Sequence, residues 1–322
     1  MGFGKRNLLR LKKKVFCFFK NKFVEDMVSR PKLRCYNINK VSDEDVALLI
    51  AHFSESEVKE TVFGCGSDKA PGPDGFSFKF IKKFWNILSA DFMNIAKEFY
   101  DSGLISRGVS LAFITLLPKS SAPSGLGDYR PITLIGVISK FISKLLANMM
   151  RKVTGSIISE TQSAFLSGRF ILDGPVMINE LIAWAKQMKK EMFIFKIDFQ
   201  KAYENVHWSF LLDILRQLGF PSRWCVWVEG ILTSNRAAVL VNGAPTFKFD
   251  CKKGIRQGDP LSPFLFVIVM KAFPSLFRKA TDIGAFNGIR LPNGGIEVNH
   301  FLYADDAMIL GEWSAFNFNN LK

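Results

Sequence analysis

The chain has 322 residues, 48% of them apolar, with 43 Lys+Arg against 29 Asp+Glu and a formal net charge of +14. That apolar content excludes disorder of the whole and is ample for the core of one large or two medium domains. No apolar run approaches the roughly 18–20 residues that cross a bilayer, and the patch Val15–Phe19 is too brief for a signal-peptide core, so no membrane association is expected.

Residues 1–40 form a basic arm. Twelve Lys/Arg, among them Lys12, Lys13, Lys14, Lys20 and Lys22, stand against Glu25 and Asp26, so +10 of the +14 lies here. Interleaved Phe16, Phe18, Phe19, Phe23 and Tyr36 suit a polyanion, through counterion release and base stacking. A solubilising terminus is the plainer reading, and charge alone leaves both open. Residues 41–105 read as a helical lead-in. Ser42–Asp45 and Ser54–Glu57 look like capping boxes, the second opening a helix that stops near Gly64. Ala70-Pro-Gly-Pro-Asp-Gly75 is too rich in Pro and Gly for helix or strand and reads as an ordered loop. Phe76, Phe80, Phe84, Ile87 and Leu88 then recur at helical spacing, a stripe expected in the core.

Strands are predicted at Ala112–Leu117 and Ile132–Val137, joined by the polar connection Lys119–Tyr129, with a helix over Ser139–Met150. Phe193–Phe199 alternates as a strand should, Lys196 and Asp198 lying opposite its apolar face. Leu211–Leu218 reads as a helix, Asn242-Gly243 as a hairpin turn, and Leu261–Ala272 as a buried helix capped by Ser262 and begun by Pro263. Helices mixed with antiparallel hairpins make an α+β fold. Five scattered cysteines without a Cys-x-x-Cys pair fit a reducing compartment and argue against disulfides or a zinc site. His52, His207 and His300 are too dispersed to form a cluster.

Three segments carry chemistry. Asp198 ends an apolar strand on its polar face, where a carboxylate can hold a hard cation or simply cap the next turn. In Phe301–Leu310, Asp305 and Asp306 lie side by side within apolar flanks; two like charges there need compensation, which a divalent metal would give. In Gly254–Pro263, Arg256 and Gln257 supply donors and Gly258 permits close approach of a ligand. Taken singly, Lys119, Arg130 and Lys201 read as solvated charges, and Tyr203 as core packing.

Together these segments resemble the reverse transcriptases of non-LTR (LINE-type) retrotransposons, with a plant-like cast. Ala70–Gly75, Ile114–Lys119, Asp128–Ile132, Asp198–Tyr203, Arg256–Pro263 and Tyr303-Ala-Asp-Asp306 follow one another as in that family, across roughly residues 16–315. The resemblance implies a right-hand polymerase with fingers and an antiparallel palm sheet over 106–322. It implies RNA-directed DNA synthesis, with an RNA template, a DNA primer and deoxynucleoside triphosphates as partners. Asp198, the Phe199 backbone, Asp305 and Asp306 would hold two Mg²⁺, or Mn²⁺, for two-metal nucleotidyl transfer. Lys119, Arg130 and Lys201 would take the triphosphate, Tyr203 would exclude a ribose 2′-hydroxyl, and Gln257 and Gly258 would lie against nucleotide and template. Arg256 joins the arm lysines as a nucleic-acid contact.

Two departures stand out. Glu204 replaces the Asp usual in the family, and only sixteen residues follow Asp306. The reading is therefore a C-terminally truncated fingers-and-palm portion with the thumb missing, Phe316–Lys322 an unrelated tail, and one palm edge open. A catalytically inactive remnant that only binds nucleic acid is the alternative. An RNA-directed RNA polymerase is a third, which a steric gate at Tyr203 would oppose.

Overall fold

The structure is a computed structural model and describes residues 2–25, 27, 30, 32–158, 172–291, 297–303 and 306–321. The basic arm is a helix, α1 (Gly2–Lys22). The lead-in folds into α2 (Asp43–Leu49), α3 (Glu55–Phe63), α4 (Phe78–Lys83) and α5 (Trp85–Ser102). Ser42 Oγ accepts the Asp45 N–H at 3.1 Å, and Ser54 with Glu57 makes the reciprocal box that starts α3, so both expected caps are present.

β1 (Leu111–Pro118) and β2 (Tyr129–Ile135) form an antiparallel hairpin, and α6 (Val137–Ile157) follows at once. Then come α7 (Asp173–Gln187), β3 (Met192–Asp198), α8 (Trp208–Gln217) and α9 (Ser222–Thr233). β4 (Arg236–Val241) pairs in parallel with β1 and antiparallel with β5 (Ala244–Pro245) and β6 (Phe249–Asp250). This first sheet runs β2-β1-β4-β5, with β6 beside β4. The chain continues through α10 (Ser262–Met270), α11 (Ala272–Asp282), β7 (Ile289–Arg290) and β8 (Glu297–Val298). β9 (His300–Tyr303), β10 (Asp306–Glu312) and α12 (Ala315–Asn320) complete it. The second sheet is antiparallel, in the order β3-β10-β9, and β7 with β8 makes a small ribbon. The α+β architecture expected from the sequence is the one observed.

The main core lies among helices: Phe99, Phe141, Leu146, Met150, Leu211, Leu215, Trp224 and Trp227 are all nearly inaccessible. A second cluster joins Val15, Phe19 and Phe23 of the arm to Ile114, Val239 and Phe249 of the first sheet. The arm's aromatics therefore serve protein packing: Phe19 is fully buried, and Phe16 meets Phe247 and Phe249 edge-on. The second sheet is packed on both faces, by Phe286 and Ile309 with Phe193 on one and by Leu181, Ile178 and Phe301 with Leu310 on the other.

Two expectations are corrected. The stripe at Phe76, Phe80, Phe84 and Ile87 lies on the surface, Ile87 being 73% exposed, because α4 turns Phe78 and Ile81 inward instead. The three phenylalanines pack against one another with tilted rings, centroids 5.2 and 4.7 Å apart. Ser262 is the first helical residue of α10 rather than its cap. Within α12, buried Asn317 accepts the Asn287 N–H and donates to Asn287 O, both at 2.9 Å. No helix among the described residues is long and apolar enough to cross a membrane.

Candidate active site

β3 and β10 are in register with Asp306 directly opposite Asp198, Met308 opposite Lys196 and Ile309 opposite Phe195. Directly opposed residues share a face and lie about 4.5–5.5 Å apart at Cα. Alternation therefore puts Asp198, Lys196 and Asp306 on one face at the end of the β3–β10 ladder. β10 is also paired with β9, Asp306 opposite Tyr303, so Ala304 and Asp305 occupy the two positions between those strands. Both lie outside the described residues. The sequence reading pairs Asp198 with Asp305 and sets Asp306 beside them; the strand register places Asp306 opposite Asp198, and Asp305 lies outside the described residues.

Two carboxylates facing each other across a strand pair repel unless a cation accompanies them. Lys196 Nζ lies 3.1 Å from Asp306 Oδ1 and supplies part of that compensation. The side chains are 59% and 40% exposed, so the pair contributes no more than about 1 kcal/mol. Hard oxygen donors of this kind suit Mg²⁺ or Mn²⁺. Asp198, with the Phe199 backbone beside it, and Asp306 fit such an ion as donors. Among the described residues no group of three or more His, Cys, Asp or Glu side chains is gathered, and Asp305 lies outside them.

The turn after β3 is fastened to the loop before α10. Ile255 N–H donates to Tyr203 O at 2.9 Å, Gly254 N–H to Val206 O at 2.7 Å, and Trp208 Nε1 to Gly254 O at 2.7 Å. Gly254 has φ +82°, and a Cβ there would stand 2.7 Å from Glu204 O, so only glycine lets the two loops meet. The same loop then reaches the first sheet, where Thr133 N–H donates to Gln257 O at 2.9 Å. Gly258, at φ +104°, follows beside Thr133. Tyr203 packs its ring on Phe266 of α10, centroids 4.8 Å apart and planes within 11°. Lys201 sits in the left-handed region at φ +55° and is exposed.

Lys119 and Arg130 are brought together at the tip of the β1–β2 hairpin. Leu117 pairs with Arg130, and Lys119 N–H donates to Asp128 O at 2.8 Å, so both cations stand on one exposed face. The arm lysines divide. Lys13, Lys14 and Lys20 are exposed; Lys12 donates to Pro245 O at 3.2 Å; Lys22 is held 3.4 Å from Glu204, with both side chains only 12% exposed. Burial pushes the Lys22 ammonium below its ordinary pKa; Glu204 opposes this, while Lys201 and Lys119 add to it.

Arg256 points inward. Its Nη2 donates to Ser110 O at 2.6 Å, and its charge acts on buried Asp259. Asp259 is 4% exposed and caps α10: Oδ1 accepts the Leu261 N–H and Oδ2 the Ser143 hydroxyl, both at 2.8 Å. Burial drives the Asp259 carboxyl above the usual range, against the pull of Arg256 and these donors. Arg256 thus braces the loop from within. Asp259 and Asp74 were missed by sequence reasoning. For Asp259 the signal was available, an acid three residues before a helix-starting Pro-containing run, and attention to capping would have found it.

The sequence comparisons agree with this geometry. A family model described as reverse transcriptase (RNA-dependent DNA polymerase) matches residues 117–314. The chain is 26% identical over 245 residues to an uncharacterized 149 kDa protein of transposon TX1 from Xenopus laevis, covering 76% of this chain and 18% of that protein. It is 25% identical over 244 residues to the Pol polyprotein of the type-2 retrotransposable element R2DM of Drosophila melanogaster, covering 76% and 22%. Over 67 residues it is 43% identical to an uncharacterized mitochondrial protein of Arabidopsis thaliana, AtMg01250, covering 21% of this chain and 55% of that one. The chain spans about a fifth of the length of the first two relatives. With a family match over more than half its length, and an acid pair set face to face by strand register, the chain belongs to the reverse transcriptase family, among relatives from non-LTR retrotransposons.

Proposed function

We propose that this chain adds deoxynucleotides to the 3′-hydroxyl of a DNA primer, copying an RNA template. In this reading the first sheet and its helices are the fingers, and the β3-β10-β9 sheet is the palm. The observation that carries it is the register placing Asp198 opposite Asp306, one residue after Asp305, at the end of the strand ladder. Asp198, the Phe199 carbonyl, Asp305 and Asp306 would hold two divalent ions, which supply charge neutralisation at the reacting phosphate and acidify the attacking hydroxyl when bound.

The chain's own residues position the rest. Lys119 and Arg130 on the hairpin tip, with Lys201 after β3, receive the triphosphate as fixed charges. Tyr203, held flat by Phe266, presents a rigid ring to the sugar and leaves no room for a 2′-hydroxyl. Gln257 and Gly258, anchored on Thr133, line the nucleotide's other side. The exposed arm lysines track the template–primer backbone.

Primer extension on poly(rA)–oligo(dT) with Mg²⁺ or Mn²⁺ tests this. The wild-type chain is expected to extend the primer, and Asp198→Asn or Asp305→Asn to lower the rate by at least about 100-fold. Tight binding of the duplex with no extension by the wild type would overturn the polymerase reading in favour of a nucleic-acid-binding remnant.

A further inference from the structure

Gln257 and Gly258 are the two corners of a tight turn. Asp259 N–H donates to Arg256 O at 3.2 Å across it, and Gly258 supplies the positive φ, +104°, that the second corner requires. Gly258 is exposed, so the turn presents its tip outward. Its two feet point the other way. Arg256 Nη2 donates to Ser110 O, just before β1, at 2.6 Å, and Asp259 Oδ2 accepts the hydroxyl of Ser143, from α6, at 2.8 Å. Ser110, Ser143 and Asp259 are 0, 1 and 4% exposed.

Ser143 is a polar residue in an apolar place. Its neighbours on α6, Phe141, Ile142, Leu145 and Leu146, are all buried in the main core. A serine inside a helix often satisfies its hydroxyl on a carbonyl one turn back. Here the hydroxyl reaches instead to a carboxylate 116 positions away. A buried polar pair adds little net stability over apolar packing, but its bond is directional and fixes both partners in one place. What it fixes is Asp259, the residue on which the turn ends. From the side of the first sheet, Thr133 N–H holds Gln257 O at 2.9 Å.

We propose that Ser143 is a positioning residue for nucleotide binding: through Asp259 it holds the Gln257–Gly258 turn where the incoming nucleotide meets it. This rests on the assignment of Gln257 and Gly258 to the nucleotide. Ser143 is buried behind the turn and touches no substrate itself. Without its hydroxyl, Asp259 keeps the Leu261 N–H but loses its tie to α6, and the turn is left standing on Arg256 and Thr133. Nucleotide affinity then falls, while Asp198 and Asp306, on the other sheet, keep their places. A hydroxyl that serves only the core gives a different result, lower stability with affinity unchanged.

The test is calorimetric titration of dTTP, with Mg²⁺, into the full chain bound to poly(rA)–oligo(dT) whose primer ends in a dideoxynucleotide. Ser143→Ala is expected to weaken dTTP binding about fivefold, in the same direction as Gln257→Ala, and in primer extension to raise the KM for dTTP with kcat within about twofold of wild type. Asn148→Ala removes another hydrogen bond of α6, from Asn148 Nδ2 to Thr61 Oγ1 at 3.0 Å, and is expected to lower the unfolding midpoint with dTTP binding unchanged. Wild-type affinity in Ser143→Ala, with Gln257→Ala weakened, overturns the proposal and leaves the nucleotide assignment standing. If Gln257→Ala binds as the wild type does, or the wild type binds no dTTP, both readings fall. If Asn148→Ala weakens binding as much as Ser143→Ala, the loss is one of general stability and the proposal is overturned. Should Ser143→Ala not fold, Ser143→Cys takes its place, its thiol being a weaker donor in nearly the same space, and unchanged binding is again the overturning result.

Discussion

His300 shows how a residue beside the site is constrained by what surrounds it. It begins β9, is 6% exposed, and its Nδ1 lies 2.5 Å from Asn299 Oδ1. Burial first, then the positive charges of Arg278 and Lys271, lower its pKa from 6.5 to about 4. A base whose folded pKa lies below its unfolded one binds fewer protons when folded. Its contribution is complete above about pH 6.5 and is lost as pH falls toward 4, a difference of about 3 kcal/mol at the acid end. Denaturant unfolding between pH 7 and 4.5 is expected to show the wild type losing stability faster than His300→Gln. Parallel curves would mean that the ring is not held neutral. Nothing in the spacing of the three histidines signals this, because the burial arises from α11 and the turn after it packing over β9.

Among elements, the Ala70–Gly75 loop is the clearest gain over the sequence reading. Its composition excludes helix and strand, yet its task is to start α6. Asp74 Oδ2 accepts the Val137 N–H at 2.5 Å, and a Cβ on Gly72 would stand 2.4 Å from the Gly136 nitrogen. The helix that carries Phe141, Leu145 and Met149 into the core has no side-chain cap of its own at Gly136 and takes one from more than sixty residues away. Asp74→Ala is expected to cost about 1–2 kcal/mol in unfolding free energy, with Asp74→Asn retaining most of it. An unchanged midpoint in Asp74→Ala would remove the capping role. α1 is the opposite case. Its apolar positions were legible as residues but not as a face, because Val15 and Phe19 find their stripe only against β4 and β6.

For the molecule as a whole, the uneven charge matters most. Packing removes Lys12 and Lys22 from the freely exposed set and leaves Lys13, Lys14 and Lys20 on the outer side of a docked helix. Neutralising these three together is expected to weaken template–primer binding and reduce the slope of log K against log salt by about 2–3, without loss of thermal stability. An unchanged slope would detach the arm from the nucleic acid. Deleting residues 1–40 would be a poorer test, since it also uncovers Ile114, Val239 and Phe249. β3 is an outer strand of the second sheet, with Ile194 38% and Phe195 56% exposed.

Much of this was decided within short stretches of chain. The caps at Ser42 and Ser54, the alternation of Phe193–Asp198, the Asn242-Gly243 turn and the acidic pair at 305 and 306 are local signals, readable because helix and strand periodicities and turn preferences act over a few residues. The order of motifs was enough to identify the family. What only the tertiary structure decided are pairings between distant segments: Asp198 opposite Asp306, Gly254 against Glu204, Arg256 turned onto Ser110, Lys22 onto Glu204, and Phe76, Phe80 and Phe84 outward instead of inward. Which face of an element is covered, and which charge meets which, depends on packing free energies summed over the whole molecule, and no stretch of sequence contains its own partner.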